Sequence, residues 1–281
     1  MSSRFRVQPG HFYAVGAGPG GADLLTLRAV RVIENSQVII CPKSAGSRGS
    51  LALEIIQEFI SNQEVVEHVY PMRRSQEEVR GSWILAARLI VQNCRLGKTV
   101  TQVTLGDPHI YSTCAYVLPL VEQELGRDRV HVIPGITALQ SSASRFIQPL
   151  ATQEDRVILM PGSDLREVEK ALEHCETLVL YKAGKNLKRL AALLEMRGLK
   201  DRARVVFNSE MGDREAVYTD IHQAARGETG YLACVIVYAG RRKWRDGRSQ
   251  KSEVRDQRSE IRSQRSASGL SELESSPSRK P

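Results

Sequence analysis

Val15-Gly16-Ala17-Gly18-Pro19-Gly20-Gly21 joins an apolar run at 11–15 to an amphipathic stretch at 24–34. An apolar run, a glycine turn and apolar residues at helical spacing read as strand, tight loop and helix. The same alternation continues outward. Apolar runs at 37–41, 65–70, 99–105 and 129–133 predict strands, and amphipathic stretches at 51–60, 77–94 and 114–125 predict the helices between them. Strands alternating with helices make a mostly parallel α/β sheet, because parallel neighbours need a crossover connection.

Past Thr137 the pattern shifts. Strands are expected at 156–160, 177–181, 203–207, 216–218 and 231–238, with helices at 165–174 and 187–197. Strands are relatively more frequent and helices shorter, which predicts a second α/β domain with a mixed sheet. The expected domains run from 10 to 136 and from 137 to 240. From 241 to 281 the apolar content collapses into Ser, Arg, Glu and Gln. Such a segment cannot bury enough apolar surface to offset its ordering entropy, so a disordered basic tail is expected.

The formal charge of +8 points first to nucleic acid, but twelve Lys/Arg and six Asp/Glu lie from 241 onward, leaving +2 for residues 1–240. The body is nearly neutral. Nucleic acid is therefore not an expected partner of it, although the tail keeps open a binding role of its own. No stretch approaches the roughly 20 apolar residues of a membrane span, and the first residues lack a secretory apolar segment. A cytoplasmic protein without a membrane partner is expected. The five cysteines include no Cys-x-x-Cys pair and the six histidines no pair at helical spacing. Buried free thiols and no protein-bound metal are expected.

Gly16 to Gly21 formally match G-x-G-x-x-G, the loop that admits a pyrophosphate to a helix N-terminus. Two features count against a dinucleotide. Pro19 removes an amide donor from that loop, and the second strand ends Ile40-Cys41-Pro42-Lys43 with no carboxylate for a ribose hydroxyl. The glycines could still serve only as a tight turn.

Three further motifs decide between these readings: Leu105-Gly106-Asp107-Pro108, Ile133-Pro134-Gly135-Ile136-Thr137-Ala138 and Leu180-Tyr181-Lys182-Ala183-Gly184-Lys185, each at the carboxyl end of a predicted strand. Together with the glycine loop and Asp23-Leu24-Leu25-Thr26-Leu27 behind it, they resemble the tetrapyrrole methylase family in kind and order. The resemblance spans about residues 11–238. It implies two α/β domains with S-adenosylmethionine bound between them, acting as methyl donor to a tetrapyrrole substrate, and a homodimer. The cofactor-binding residues it implies are Gly18, Pro19, Gly20, Leu105, Gly106, Asp107, Ile110, Thr137, Ala138, Lys182 and Gly212. Lys182 stands where many relatives carry methionine. Asp107 also fits an Asx turn before proline.

Within the family, Cys41-Pro42-Lys43-Ser44 with Ser50-Leu51-Ala52, and Gly106 to Thr113, resemble the branch that methylates C20 of precorrin-2, or its cobalt form, in corrinoid synthesis. Uroporphyrinogen-III methyltransferases tend to continue the second motif with a Gly-Arg-Gly-Gly run, which is missing. They and other corrin-ring methyltransferases are the alternatives, and diphthine synthase shares the fold but methylates a protein. A substrate rimmed with carboxylates implies cations in the cleft, for which Lys43, Arg48, Arg73, Arg74, Lys182 and Lys185 are candidates. Tyr111 and His109 are the candidates for assisting proton loss after methyl transfer, and no catalytic residue is selected by the sequence.

Overall fold

A computed structural model describes residues 5–71, 75–227 and 230–240. Arg73, Arg74 and the basic tail expected to be disordered lie outside the described residues. The first half runs β1 (Phe12–Gly16), α1 (Leu27–Glu34), β2 (Val38–Ser44), α2 (Leu51–Ile56), β3 (Glu64–Tyr70), α3 (Gln76–Arg95), β4 (Val100–Thr104), α4 (Cys114–Leu125) and β5 (Val130–Ile133). Its strands form one sheet of order β3-β2-β4-β1-β5, with every pairing parallel.

Helix starts follow the capping side chains. The Thr26 hydroxyl accepts from the Ala29 N–H, so α1 begins three residues later than its apolar period predicts. Ser50 caps α2 in the same way, and Ser75 with Glu78 forms a capping box at α3. Pro119 is accommodated inside α4, where the carbonyl it leaves without a donor belongs to exposed Ala115.

β1 is buried along its whole length, and its alternation assigns the two faces. Phe12 and Ala14 pack with Ile90 of α3 and with Val117 and Val121 of α4. Tyr13 and Val15 pack with Ala29, Val32 and Ile33 of α1 and with Ile55 and Ile56 of α2. The chain therefore leaves β1 toward one face and leaves its neighbour β4 toward the other. A crevice opens at such a switch point, outside the carboxyl ends of the two strands.

The second half runs α5 (Ala138–Ser144), β6 (Val157–Pro161), α6 (Leu165–Leu172), β7 (Thr177–Tyr181), α7 (Leu187–Met196), β8 (Ala203–Phe207), β9 (Ala216–Tyr218), α8 (Ile221–Arg226) and β10 (Ala233–Val237). Its sheet, β6-β7-β10-β8-β9, is mixed: β6 and β7 are parallel and the remaining pairs antiparallel. One face carries Val168, Leu190, Leu194, Ile221 and Ala224 from α6, α7 and α8. The other face is covered by Leu139 and Ala143 of α5, packed on Val179 and Ile236. Since α5 follows directly on the loop after β5, it carries the chain from the first sheet onto the second.

α5 and α8 are not legible as helices in the sequence. α5 is serine-rich and of low intrinsic propensity, and it stands through a Thr137–Gln140 capping box and the packing of its apolar side. α8 is a single short helix capped by Asp220. Among the described residues, no helix is long and apolar enough to cross a membrane.

Candidate active site at the strand ends

β1 and β4 end in register, Gly16 opposite Thr104, and their loops stay paired beyond the sheet. The Ala17 N–H donates to the Thr104 carbonyl at 2.8 Å, and Gly18 and Gly106 form an antiparallel bridge in which Gly106 N–H donates to Gly18 at 2.7 Å. Gly18 at φ +77° and Gly106 at φ +71° occupy the left-handed region, which a side chain disfavours. A Cβ on Gly16 would stand 2.5 Å from the Gly106 carbonyl oxygen and 2.7 Å from the Gly135 nitrogen. Three motif loops thus meet backbone to backbone.

Asp107 ties the meeting point. One carboxylate oxygen accepts the His109 N–H at 2.8 Å, closing an Asx turn, and the other accepts the Gly135 N–H at 3.0 Å, joining the loop after β4 to the loop after β5. The geometry shows the Asx turn expected before Pro108, and beyond it a bond between the loops after β4 and β5. Thr137 then caps α5, and the hydroxyl of half-buried Tyr181 at the end of β7 accepts the Leu139 N–H at 2.7 Å. Burial pushes the Tyr181 phenol up to about 12, so it stays protonated at neutral pH.

The loop after β8 closes the ring. A Cβ on Gly20 would lie 2.6 Å from the Glu210 carbonyl oxygen, and Ser209 Oγ donates to Ser141 Oγ of α5 at 3.0 Å. Asn208, Glu210 and Gly212 all have positive φ, at +47°, +64° and +57°. Arg145 holds this bent segment: its Nε and Nη2 meet both oxygens of Glu215 at 2.9 Å, and Nη2 meets Glu210 at 2.8 Å. Replacing Arg145 by alanine leaves two carboxylates facing each other. For the methyl donor that the resemblance implies, the expected KM rises about tenfold, with Arg145→Lys recovering only part because an ammonium cannot bond both oxygens of Glu215 in parallel. Steady-state kinetics with donor varied checks this, and an unchanged KM for R145A would contradict it.

The structure brings most of the expected cofactor residues to one end of the sheets. Gly18 and Pro19 are buried in the first loop, Leu105, Gly106, Asp107, Ile110 and Ala138 are half-buried, and Gly212 is exposed. A cleft of about 240 Å³ brings Gly20 and Gly212 together with Leu51, Ile55 and Met211. The cation candidates are less gathered. Lys43, near the end of β2, is paired with Glu67 of β3 at 3.1 Å. Arg48 and Lys185 are exposed, and exposed His109 contributes its backbone N–H to the Asx turn.

Arg145, Glu210 and Glu215 escape a reading of the sequence, and Tyr181 enters it only as a member of the last motif. Arg145 lies 70 residues from Glu215, and no spacing rule links them. All five cysteines are free and buried, and burial pushes the Cys41, Cys114 and Cys234 thiols up to about 12, which leaves them unreactive as nucleophiles. Among the described residues, no group of three or more His, Cys, Asp or Glu could hold a metal ion.

Comparison with known proteins shows the family and the fold. Residues 11–224 match the family model Tetrapyrrole (Corrin/Porphyrin) Methylases. A cobalt-precorrin-2 C(20)-methyltransferase of Salmonella typhimurium is 30% identical over 193 residues, covering 68% of this chain and 80% of that protein. A precorrin-2 C(20)-methyltransferase of Sinorhizobium sp is 27% identical over 248 residues, covering 84% of this chain and 97% of that protein. The fold matches that of uroporphyrin-III C-methyl transferase from Thermus thermophilus, solved with S-adenyl homocysteine, at a TM-score of 0.58 and 24% identity, covering 81% of this chain and 96% of that one.

Proposed function

Because the chain belongs to the tetrapyrrole methylase family, we propose that it transfers a methyl group from S-adenosylmethionine to C20 of precorrin-2, or of its cobalt form, in cobalamin synthesis. What carries the reading is the meeting of Gly16, Gly106 and Gly135 at the switch point, in a chain that spans most of the length of C20-methylating relatives. The same reading includes a homodimer in the cytoplasm.

The site suits such a donor. The position a Cβ would take on Gly106 is open, as it is on Gly212, so a ligand can approach bare backbone at both places. Leu105, Gly106, Asp107, Ile110, Thr137 and Ala138, with Gly18 to Gly20 and Gly212, are the residues we assign to holding it. S-adenosylmethionine supplies a methyl already activated on a sulfonium, and a reduced tetrapyrrole supplies an electron-rich meso carbon. The chain then contributes placement and exclusion of water more than acid or base. Asp107 fixes two loops against each other, Thr137 and Tyr181 anchor α5 against the second sheet, and Arg145 sets the closing loop. Transfer replaces the C20 hydrogen, whose proton leaves to water, to a substrate carboxylate or by way of Tyr111 or His109.

Mass spectrometry of products from metal-free and cobalt-loaded precorrin-2, run side by side with S-adenosylmethionine, tests this function. We expect gain of one methyl on at least one of them. No gain on either, with methylation of uroporphyrinogen III instead, would move the chain to another branch of the family.

A further inference from the structure

Lys182 follows directly on β7, and its backbone is left-handed at φ +58°. Across from it, in the loop after β4, Tyr111 is also left-handed at φ +52°. Neither residue is glycine, and unfavourable backbone of this kind persists where the surroundings hold it, often at functional sites. The Lys182 ammonium lies 5.5 Å from the centroid of the Tyr111 ring and 5.9 Å from that of Tyr231, within cation–π range of both. Tyr111 is in turn braced edge-on by Tyr181 at 5.8 Å, and its hydroxyl donates to the Leu159 carbonyl at 3.4 Å. Lys43, Lys98, Lys170 and Lys200 each reach a glutamate within 3.1 Å. Among the described residues, Lys182 pairs with no carboxylate.

Two tyrosine faces, 46% and 50% exposed, therefore present a cation held by π-systems and, among the described residues, without a carboxylate partner. Such a surface complements a flat conjugated ring edged with carboxylates. A methyl donor offers one carboxylate and no large apolar plane beyond its adenine. Resting on the function proposed above, we propose that Lys182, held between Tyr111 and Tyr231, reads a side-chain carboxylate of the tetrapyrrole substrate rather than contacting the methyl donor. Tyr111 and Tyr231 give the ammonium its place and offer their faces to the macrocycle.

The test compares wild type, Lys182→Met, Lys182→Arg and Tyr231→Leu, with the KM for precorrin-2 read from kinetics and the Kd for S-adenosylhomocysteine from calorimetry. Met at 182 keeps the length and the backbone strain but removes the charge. We expect K182M to raise the KM for precorrin-2 about 10- to 100-fold, the range of one lost charged hydrogen bond. The Kd for S-adenosylhomocysteine stays within about twofold, since the donor site keeps its loops. K182R restores most of the loss, Y231L raises the KM about threefold, and added salt weakens substrate binding in wild type more than in K182M. An unchanged KM in K182M overturns the proposal, and so does a parallel rise in the Kd for S-adenosylhomocysteine, which assigns Lys182 to the donor's own carboxylate. A wild-type protein that binds S-adenosylhomocysteine but neither binds nor methylates any tetrapyrrole overturns the proposed function itself, and this assignment with it.

Discussion

Gly135→Ala is expected to abolish measurable methyl transfer, with the loss in donor binding. A Cβ at this position runs into the Gly106 carbonyl oxygen and stands 2.9 Å from the Gly16 carbonyl carbon and Cα. All of these are backbone atoms, so no side chain can swing away, and the loops after β1, β4 and β5 have to part. Overpacking of this kind costs about 2 kcal/mol, which lowers the melting temperature by about 5 °C in a protein of this size. The functional loss is far larger, because the separation falls on the Gly18–Gly106 pairing and on the Asp107–Gly135 hydrogen bond at once. We expect the Kd for S-adenosylhomocysteine to rise more than about 100-fold, a shift of roughly 3 kcal/mol. Gly97→Ala is the control. It has φ +82° and open space where a Cβ would stand, and it lies in the turn before β4. That variant should lose comparable stability through backbone strain and keep its affinity for the donor. If G135A binds S-adenosylhomocysteine like wild type, the convergence of the three loops is not what forms the site.

Asp107→Asn is the second substitution with a large expected effect, although it is nearly isosteric. The carboxylate accepts from two N–H groups, those of His109 and Gly135. An asparagine can keep one of these bonds, and its amide then sets a donor against the other N–H. A lost hydrogen bond to a charged group together with an unsatisfied N–H costs about 3–4 kcal/mol, or two to three orders of magnitude in kcat/KM. Asp107 acts here as a positioning residue, so the loss should appear mainly in the KM for donor, with the pH profile keeping its shape. Amide exchange adds an independent reading: the Gly135 N–H should lose protection in D107N. A variant with normal KM for donor and a lost limb of the pH profile would instead make Asp107 a proton acceptor.

Both substitutions fall in motifs visible in the sequence, and the reason is physical. A strand end that carries a ligand loop needs residues that allow close approach, and Gly16, Gly106 and Gly135 mark those points without reference to the rest of the chain. Among the described residues, nine of the ten strands also lie within a residue or two of the expected runs, because strands of either sheet are short apolar segments bounded by turns; β2 alone runs three residues further, from Cys41 to Ser44. What resists reading depends on tertiary context. α5 has a sequence that favours turns and is a helix only against the second sheet. Lys43 looks available to substrate until Glu67, on the neighbouring strand, is seen to pair with it. Arg145 looks like an ordinary surface charge, and its role comes from Glu210 and Glu215, which the fold brings to it from far along the chain. Lys182 is legible as a motif position, but the two tyrosine faces that hold it come from separate loops.

The most direct measurement of the central claim is the position of the new methyl. Precorrin-2 is incubated anaerobically with S-adenosylmethionine labelled with carbon-13 in its methyl group, and the product is examined by carbon-13 NMR. One enriched methyl resonance bonded to C20 is expected, the same in the metal-free and cobalt-containing products wherever both form. Enrichment at a pyrrole-ring carbon, or at any other meso position, would contradict it.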